Sequence, residues 1–316
     1  MKIGIIFFSL FFSSLILSQK DSLAEIYYNK IIVYSDFGYY SCPFDIKVDK
    51  VGTLQYRNNI KPFVGVGVNY KWGSIRIGSL INYHLKGLDN YGVTKIFKIG
   101  TELFYKRLLF DLSYYRLSGY TLLGSSFMDF QNNMIFSDLI FTSMSLNTWF
   151  YIDKDFSHYA LKGIKQSVKK SNWSVYVKNT NAYSIISNFE SIIPKVINDK
   201  LPGNSMIFNK VSALEMGLLT GVAYAFKIMS NYQVGGMIGY GGVLIDKSMY
   251  PVNGNLLSKN MISLSPRYDF HIYAGYNVKK YFFMNYFDFD RRKIDFENYE
   301  ITSKLISFRF VAGYRF

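Results

Sequence analysis

Apolar residues alternate one for one with small or polar residues along much of this chain, in segments of about ten residues, the length of a tilted strand crossing a bilayer. In Pro62 to Trp72, the residues Val64, Val66, Val68, Tyr70 and Trp72 share one face, and Phe63, Gly65, Gly67, Asn69 and Lys71 share the other. After a tight turn at Gly73 the pattern continues, with Ile75, Ile77, Ser79, Ile81 and Tyr83 opposing Arg76, Gly78, Leu80, Asn82 and His84. Phe97, Ile99, Thr101, Leu103 and Tyr105 oppose Lys98, Gly100, Glu102, Phe104 and Lys106, and Phe110, Leu112 and Tyr114 oppose Asp111, Ser113 and Tyr115. In Ala213 to Phe226 the face from Leu214 to Phe226 carries no charge, while the other holds Glu215 among glycines and alanines. A charge-free face suits lipid, where Lys or Arg costs about 2–4 kcal/mol at the midplane. A soluble sandwich would bury that face and expose one rich in Lys, Glu and Thr. Here the second face is small and polar, as a lumen is.

Both ends of the chain fit export into a membrane. Lys2 followed by the uncharged run Ile3 to Leu17 has the form of an export signal. Cleavage is expected after Ala24, or else after Ser18, making 1–24 a signal peptide and 25–316 a single barrel domain. No later run reaches the ~18 apolar residues of a membrane helix. Cys42 lies far past the apolar run, so a lipoprotein anchor is not expected, and a lone cysteine excludes a disulfide framework or a Cys-cluster metal site. The aromatic content of 19% exceeds what a soluble core needs and matches the lipid-facing band and girdles of a barrel. In the last segment Ile306, Phe308, Phe310, Ala312, Tyr314 and Phe316 alternate with Ser307, Arg309, Val311, Gly313 and Arg315. A terminal amphipathic strand closing on Tyr314 and Phe316 is the kind of signal that barrel-insertion machinery reads.

The expected fold is therefore all-β: a transmembrane antiparallel up-and-down β-barrel of roughly 12 to 14 strands, placed in the outer membrane among its lipids. Short connections fall at Gly73, Arg107, Asp153 to Asp155, Met229 to Asn231, and Val278 to Lys280. Long ones span Lys86 to Thr94, Ser118 to Phe136, Asn188 to Asn209, Asp246 to Ser265, and Lys293 to Ser303. With short turns periplasmic, long loops face outward. Counting from the two ends conflicts, since Trp173 to Ile186 and Val211 to Phe226 come out running the same way. Either one crossing is missing, expected within 188–209, or one hairpin is split wrongly; the count is twelve or fourteen, with fourteen favoured.

FVGVGVNYKW at Phe63 to Trp72, YRLSGY at Tyr115 to Tyr120, FSHYALKGIKQSVKKSNWS at Phe156 to Ser174 and the closing FVAGYRF resemble an uncharacterised Bacteroidota family of exported barrel-like proteins, the domain-of-unknown-function family four-four-two-one. The resemblance covers nearly the whole mature chain in the same order. It implies an outer-membrane setting and no activity, substrate or catalytic residue.

Chemistry-bearing residues are sparse. The histidines are His84 at a strand end, His158 near a short turn and His271 beside Asp269 on an inward face. A general base needs an orienting carboxylate and a nucleophile or water within reach, and a same-face i, i+2 pair alone is commonly lumenal hydrogen bonding, so the chain is not expected to be an enzyme. Asp288, Asp290, Asp295, Glu297 and Glu300 could hold Ca²⁺, but Arg291, Arg292 and Lys293 sit among them and favour a solvated loop. No metal or cofactor is expected. Gly235, Gly236, Gly239, Gly241 and Gly242 lie at strand spacing with no helix start after them, and suit curvature or the close approach of a lumenal plug rather than a phosphate cradle.

The charge of +14 would raise nucleic acid as a partner, but an exported chain meets none. The expected lumen lining includes Arg76, Lys98, Glu102, Asp111, Glu215, Asp269, His271 and Arg309, with Lys71, Lys106, Lys162, Lys178, Lys227 and Arg315 also on inward registers. Crossed ion pairs, Glu102 with Lys98 and Asp111 with Arg76, would close such a lumen. Lys71, Lys106, Arg107, Lys227, Lys279, Lys280 and Arg315 are expected to form a basic periplasmic rim, either snorkelling to lipid headgroups or favouring a small anionic solute. The expected function is a channel or transport pore for small polar solutes. The alternative is a non-conducting barrel that displays its loops or supports a partner complex.

Overall fold

The computed structural model describes residues 24–27, 29–48, 52–81, 93–105, 107–125, 134–198, 208–252, 261–296 and 298–316. All but the last residue of the segment expected to be an export signal, together with His84, Lys106 and Glu297, lie outside them. In chain order the strands are β1 (Ala24–Ile26), β2 (Ile32–Ser41), β3 (Phe44–Val48), β4 (Gly52–Asn58), β5 (Pro62–Tyr70), β6 (Gly73–Leu80), β7 (Lys95–Tyr105), β8 (Leu108–Ser125), β9 (Met134–Tyr151), β10 (Gln166–Val168), β11 (Asn172–Ser187), β12 (Phe208–Lys227), β13 (Tyr232–Pro251), β14 (Met261–Asn277), β15 (Tyr281–Asp295) and β16 (Tyr299–Arg315). Helix α1 (His158–Lys162) precedes β10, and α2 (Lys195–Asn198) lies between β11 and β12.

Fourteen strands form one sheet that closes into a barrel, because β15 also pairs with β16 and β7 with β8. All pairings are antiparallel. Strands β2 and β3 both lie along β16, over Ile306–Arg315 and Tyr299–Ser303, so together they make one pass of the wall. Strands β4 and β5, paired with β3 and β2, make the next. Taking each pair as one pass, the fourteen strands give twelve crossings. Beyond the short β6–β7 pair, β4 pairs directly with β8. The wall therefore loses two passes towards the long-loop end, and the barrel tapers.

The missing crossing does not exist. Strands β11 and β12 pair directly, from Asn172↔Ala225 to Ser187↔Lys210. The segment 156–171, between the wall strands β9 and β11, adds no crossing either: it is α1 and β10 folded away from the wall. Strands also run further than their patterns indicate: β8 reaches Ser125, β13 reaches Pro251 and β15 reaches Asp295. The acidic cluster around Asp288 and Asp290 consequently belongs to a strand and not to a solvated loop.

The outward rows match the alternation. Val66, Val68, Ile75, Ile77, Leu103, Leu218, Val222, Phe308 and Phe310 are exposed, whereas Gly-flanked partners such as Phe63, Asn69 and Glu215 are buried. At the short-turn end Trp72, Tyr105, Trp173, Tyr232, Tyr281, Tyr314 and Phe316 form an exposed aromatic girdle. So continuous an apolar surface exceeds the patches of about 300–600 Å² that soluble monomers carry. The outward rows named here carry no charge, which suits lipid. Among the described residues no helix is long and apolar enough to cross a membrane.

Candidate functional site in the lumen

The lumen is filled from both ends. At the short-turn end the connection from β9 to β11 turns inward. Ser157 caps α1, its hydroxyl accepting from Ala160 N at 3.4 Å, and Gly163 ends it at φ 71°, a conformation that favours glycine. Strand β10 then pairs with β1, Ala24 opposite Val168. This plug is anchored around the ring. Gln233 Nε2 donates to Ala160 O at 2.7 Å, Asn277 Nδ2 to Gly163 O at 2.7 Å, and the Tyr286 hydroxyl to Lys162 O at 2.7 Å. Lys165 Nζ reaches Gly73 O at 2.9 Å. Arg315 donates to Ile164 O and Gly163 O, both at 2.8 Å. Phe156, Tyr159, Leu161 and Ile164 pack with Tyr27, Leu109, Tyr151, Phe282 and Met284 in one buried cluster. Gly235 gives Leu161 its room: a Cβ there would lie 2.1 Å from Leu161 Cδ1. The glycine run thus does permit close approach of a plug.

At the long-loop end the stretch after β11 folds inward as well. Ile192, Ile193 and Ile197 are fully buried among Phe44, Leu54, Tyr56, Tyr120, Phe208 and Tyr299. The Tyr56 hydroxyl donates to Ile192 O at 2.6 Å, and its ring stacks on Phe44 with centroids 4.7 Å apart.

Between the two apolar layers lies a charged one. Arg76 grips Asp36 through two bonds of 2.6 Å. Arg267 holds Asp290 through two bonds of 2.7 Å and also donates to Glu215. Arg292 reaches Asp290 at 3.3 Å, Lys178 reaches Asp269 at 2.8 Å, and Lys162 of α1 reaches Glu102 at 2.5 Å. Asp288 accepts from Arg309 at 2.9 Å and Ser307 at 2.8 Å. His271 stands between two carboxylates, Nδ1 at 2.8 Å from Asp288 and Nε2 at 3.5 Å from Asp269. Lys98 donates to the Tyr40 hydroxyl. Asp111 faces Glu102 across the β7–β8 pair. These groups surround a cavity of ≈ 180 Å³, room for about a dozen waters.

Arg76, Lys98, Glu102, Asp111, Asp269, His271 and Arg309 all line that cavity. Glu215 points inward too, held behind Arg267. The expected pairings are wrong, however: Glu102 takes Lys162, not Lys98, and Arg76 takes Asp36, not Asp111. Arg315 is not a rim residue. It is 1% exposed and turned inward onto the plug, because the alternation of β16 puts it on the lumenal face. Lys71, Arg107, Lys227, Lys279 and Lys280 do sit at the short turns. His158 lies on α1, 2.5 Å from the Tyr151 hydroxyl, and burial holds its imidazole well below the usual range, hence neutral.

Asp36, Arg267, Asp290 and Arg292 were not singled out from sequence as lumenal. The signal for Asp36 was present: Ile32 to Tyr40 alternates, with Val33, Phe37 and Tyr39 outward. Among the described residues no group of three or more His, Cys, Asp or Glu is placed to hold a metal ion.

No curated protein sequence matches the chain significantly. Among solved structures, the outer membrane protease OmpT from Escherichia coli is 10% identical, with a TM-score of 0.42 over 96% of this chain and 100% of its own. The translocator domain of the autotransporter NalP from Neisseria meningitidis is 12% identical, with a TM-score of 0.42 over 100% of this chain and 96% of its own. The COG4313 outer membrane channel from Pseudomonas putida F1 is 9% identical, with a TM-score of 0.38 over 95% of this chain and 100% of its own. At the level of sequence, residues 22–316 match the family described as Domain of unknown function (DUF4421), and the chain belongs to it.

Proposed function

We propose that this protein is an outer-membrane barrel that does not conduct and acts as a membrane platform for partners. One observation carries the reading: the lumen is occupied by an apolar plug at each end and by paired charges between them. A pore lined for anions needs unpaired cations facing a continuous water path. Here Arg76, Lys162, Lys178, Arg267, Arg292 and Arg309 each have a carboxylate partner. Buried pairs of this kind are costly to desolvate and add little net stability, so they suit filling and fixing an interior more than strengthening it. The reading assigns no catalysis, since both ring nitrogens of His271 already face carboxylates. Outer-membrane placement rests on the apolar outer wall, the aromatic girdle and the closed antiparallel sheet.

The ≈ 180 Å³ cavity favours a second reading, in which the short-turn plug withdraws to admit a small polar solute. Proteoliposome swelling in isotonic sugars and amino acids separates the two. The platform reading expects swelling no faster than in protein-free vesicles; size-dependent swelling would establish transport instead.

A further inference from the structure

The outer wall is a surface through which this barrel can meet other molecules, and among its outward amides, Asn285 of β15 included, Asn179 and Asn181 of β11 stand together as a pair. The outward row of β11 runs Trp173, Val175, Val177, Asn179, Asn181, Tyr183 and Ile185, opposite the buried Lys178, Thr180 and Ala182. Two primary amides therefore sit midway along a lipid-facing row. Asn181 Nδ2 donates to Asn179 Oδ1 at 2.6 Å, and Asn179 Nδ2 donates to Gly217 O at 3.3 Å. These bonds leave Asn181 Oδ1 and one hydrogen of each amide without a protein partner among the described residues. Hydrocarbon offers no water to complete them, so an amide left this way is unfavourable against lipid.

The surroundings suit protein contact. Asn181 is flanked by Leu146 of β9 and Met216 of β12, and Asn179 by Thr148 and Leu218. Met144 and Met216 are both more than half exposed, and their flexible thioethers repack readily against another side chain. Polar groups inside membranes recur as the glue between packed segments.

We propose that the face formed by β9, β11 and β12 is where two copies of this chain pack side by side in the membrane. A second copy is favoured over an unrelated partner by symmetry. A two-fold axis along the membrane normal brings residues of equal depth together, so each amide meets its own equivalent. An amide carries both a donor and an acceptor and is thus complementary to itself. An unrelated partner would need a polar group placed independently at the same depth. The inference rests on the membrane placement proposed above and not on the filled lumen, so a conducting barrel would leave it standing.

The test is cross-linking in isolated membranes, with heat-modifiable migration confirming that each variant is a folded, membrane-embedded barrel. Met216→Cys places a thiol beside Asn181, and Val66→Cys places one on the far wall of the barrel; Cys42 is buried and stays. With a membrane-permeant bis-maleimide, Met216→Cys is expected to give a homodimer band that Val66→Cys does not. Adding Asn179→Leu and Asn181→Leu, which makes the row uniformly apolar, is expected to reduce that band to the Val66→Cys level. Equal cross-linking at the two positions, a band insensitive to the leucines, or a product containing a different protein would each overturn the proposal.

Discussion

Replacing Arg315 by Met should loosen the short-turn plug without unfolding the barrel. The guanidinium donates from Nε to Ile164 O and from Nη2 to Gly163 O, each at 2.8 Å, and so ties the plug to β16. It also donates to Asn277 Oδ1 at 2.8 Å and to Val278 O, fixing itself to the end of β14, and lies over the rings of Tyr27 and Phe282 at 4.1 and 4.7 Å. Methionine keeps much of the stem's bulk and removes every donor. A hydrogen bond from a charged donor contributes about 1.5–3 kcal/mol, and two of these reach the plug, so docking should weaken by about 3–6 kcal/mol. At about 1.4 kcal/mol per decade, exchange of plug amides through local opening should accelerate by two to four decades. The amides to follow are Leu161 and Gly163, which donate to Ser157 O and Tyr159 O in the docked plug. Hydrogen–deuterium exchange with mass spectrometry, read on a peptide covering 158–168, measures this directly. The other anchors remain, so heat-modifiable migration should be retained. Unchanged exchange in a folded Arg315→Met barrel would refute the role given to this side chain.

Three further outcomes follow from the same structure. On the lipid face, Val66→Arg, Leu218→Arg and Phe310→Arg should each cost about 2–4 kcal/mol in reversible unfolding from vesicles. Gly67 substitutions act differently, since a Cβ there meets the Tyr34 ring at 2.2 Å; equal tolerance of Arg on both faces would contradict the registers. In the charged layer, Arg76→Met alone strands the fully buried Asp36 carboxylate and should cost about 3–5 kcal/mol. Adding Asp36→Leu should recover most of that loss, and additive losses in urea titrations would show the pair is not coupled. Burial pushes the Lys165 ammonium down from 10.5 to about 8. Between those values the unfolded chain holds a proton that the docked plug has shed, so stability should rise with pH across that window. Lys165→Met should flatten that rise in the urea midpoint, and an unchanged slope would count against the buried ammonium.

The wall was legible in the sequence because one physical demand repeats in every pass: an apolar side chain towards lipid at each second position. That periodicity puts Arg76, Glu102, Asp269 and Arg309 on one face of their strands, and all four line the cavity. It could not say which charge meets which, because Arg76 of β6 and Asp36 of β2 lie on strands that are not consecutive in the chain and meet over the glycines of β5, the strand between them. The plug was not legible for a related reason. Within Phe156 to Ser171 only the Ser157 cap and the Gly163 stop mark a helix, signals that a strand pattern sought at period two passes over. Arg315 shows a third limit. Lysines and arginines at strand ends commonly snorkel to headgroups, yet its position on the inward row of β16 fixed its destination, and that parity was available from the sequence alone.

The most direct measurement is planar-bilayer conductance of the purified full-length barrel, with insertion verified by recovery of heat-modifiable protein from the same vesicles. A lumen filled from both ends predicts stable insertion with no steady unit current in symmetrical salt. Reproducible single-channel steps from the unmodified protein, carried by a lumen that still holds its plug amides protected, would contradict it.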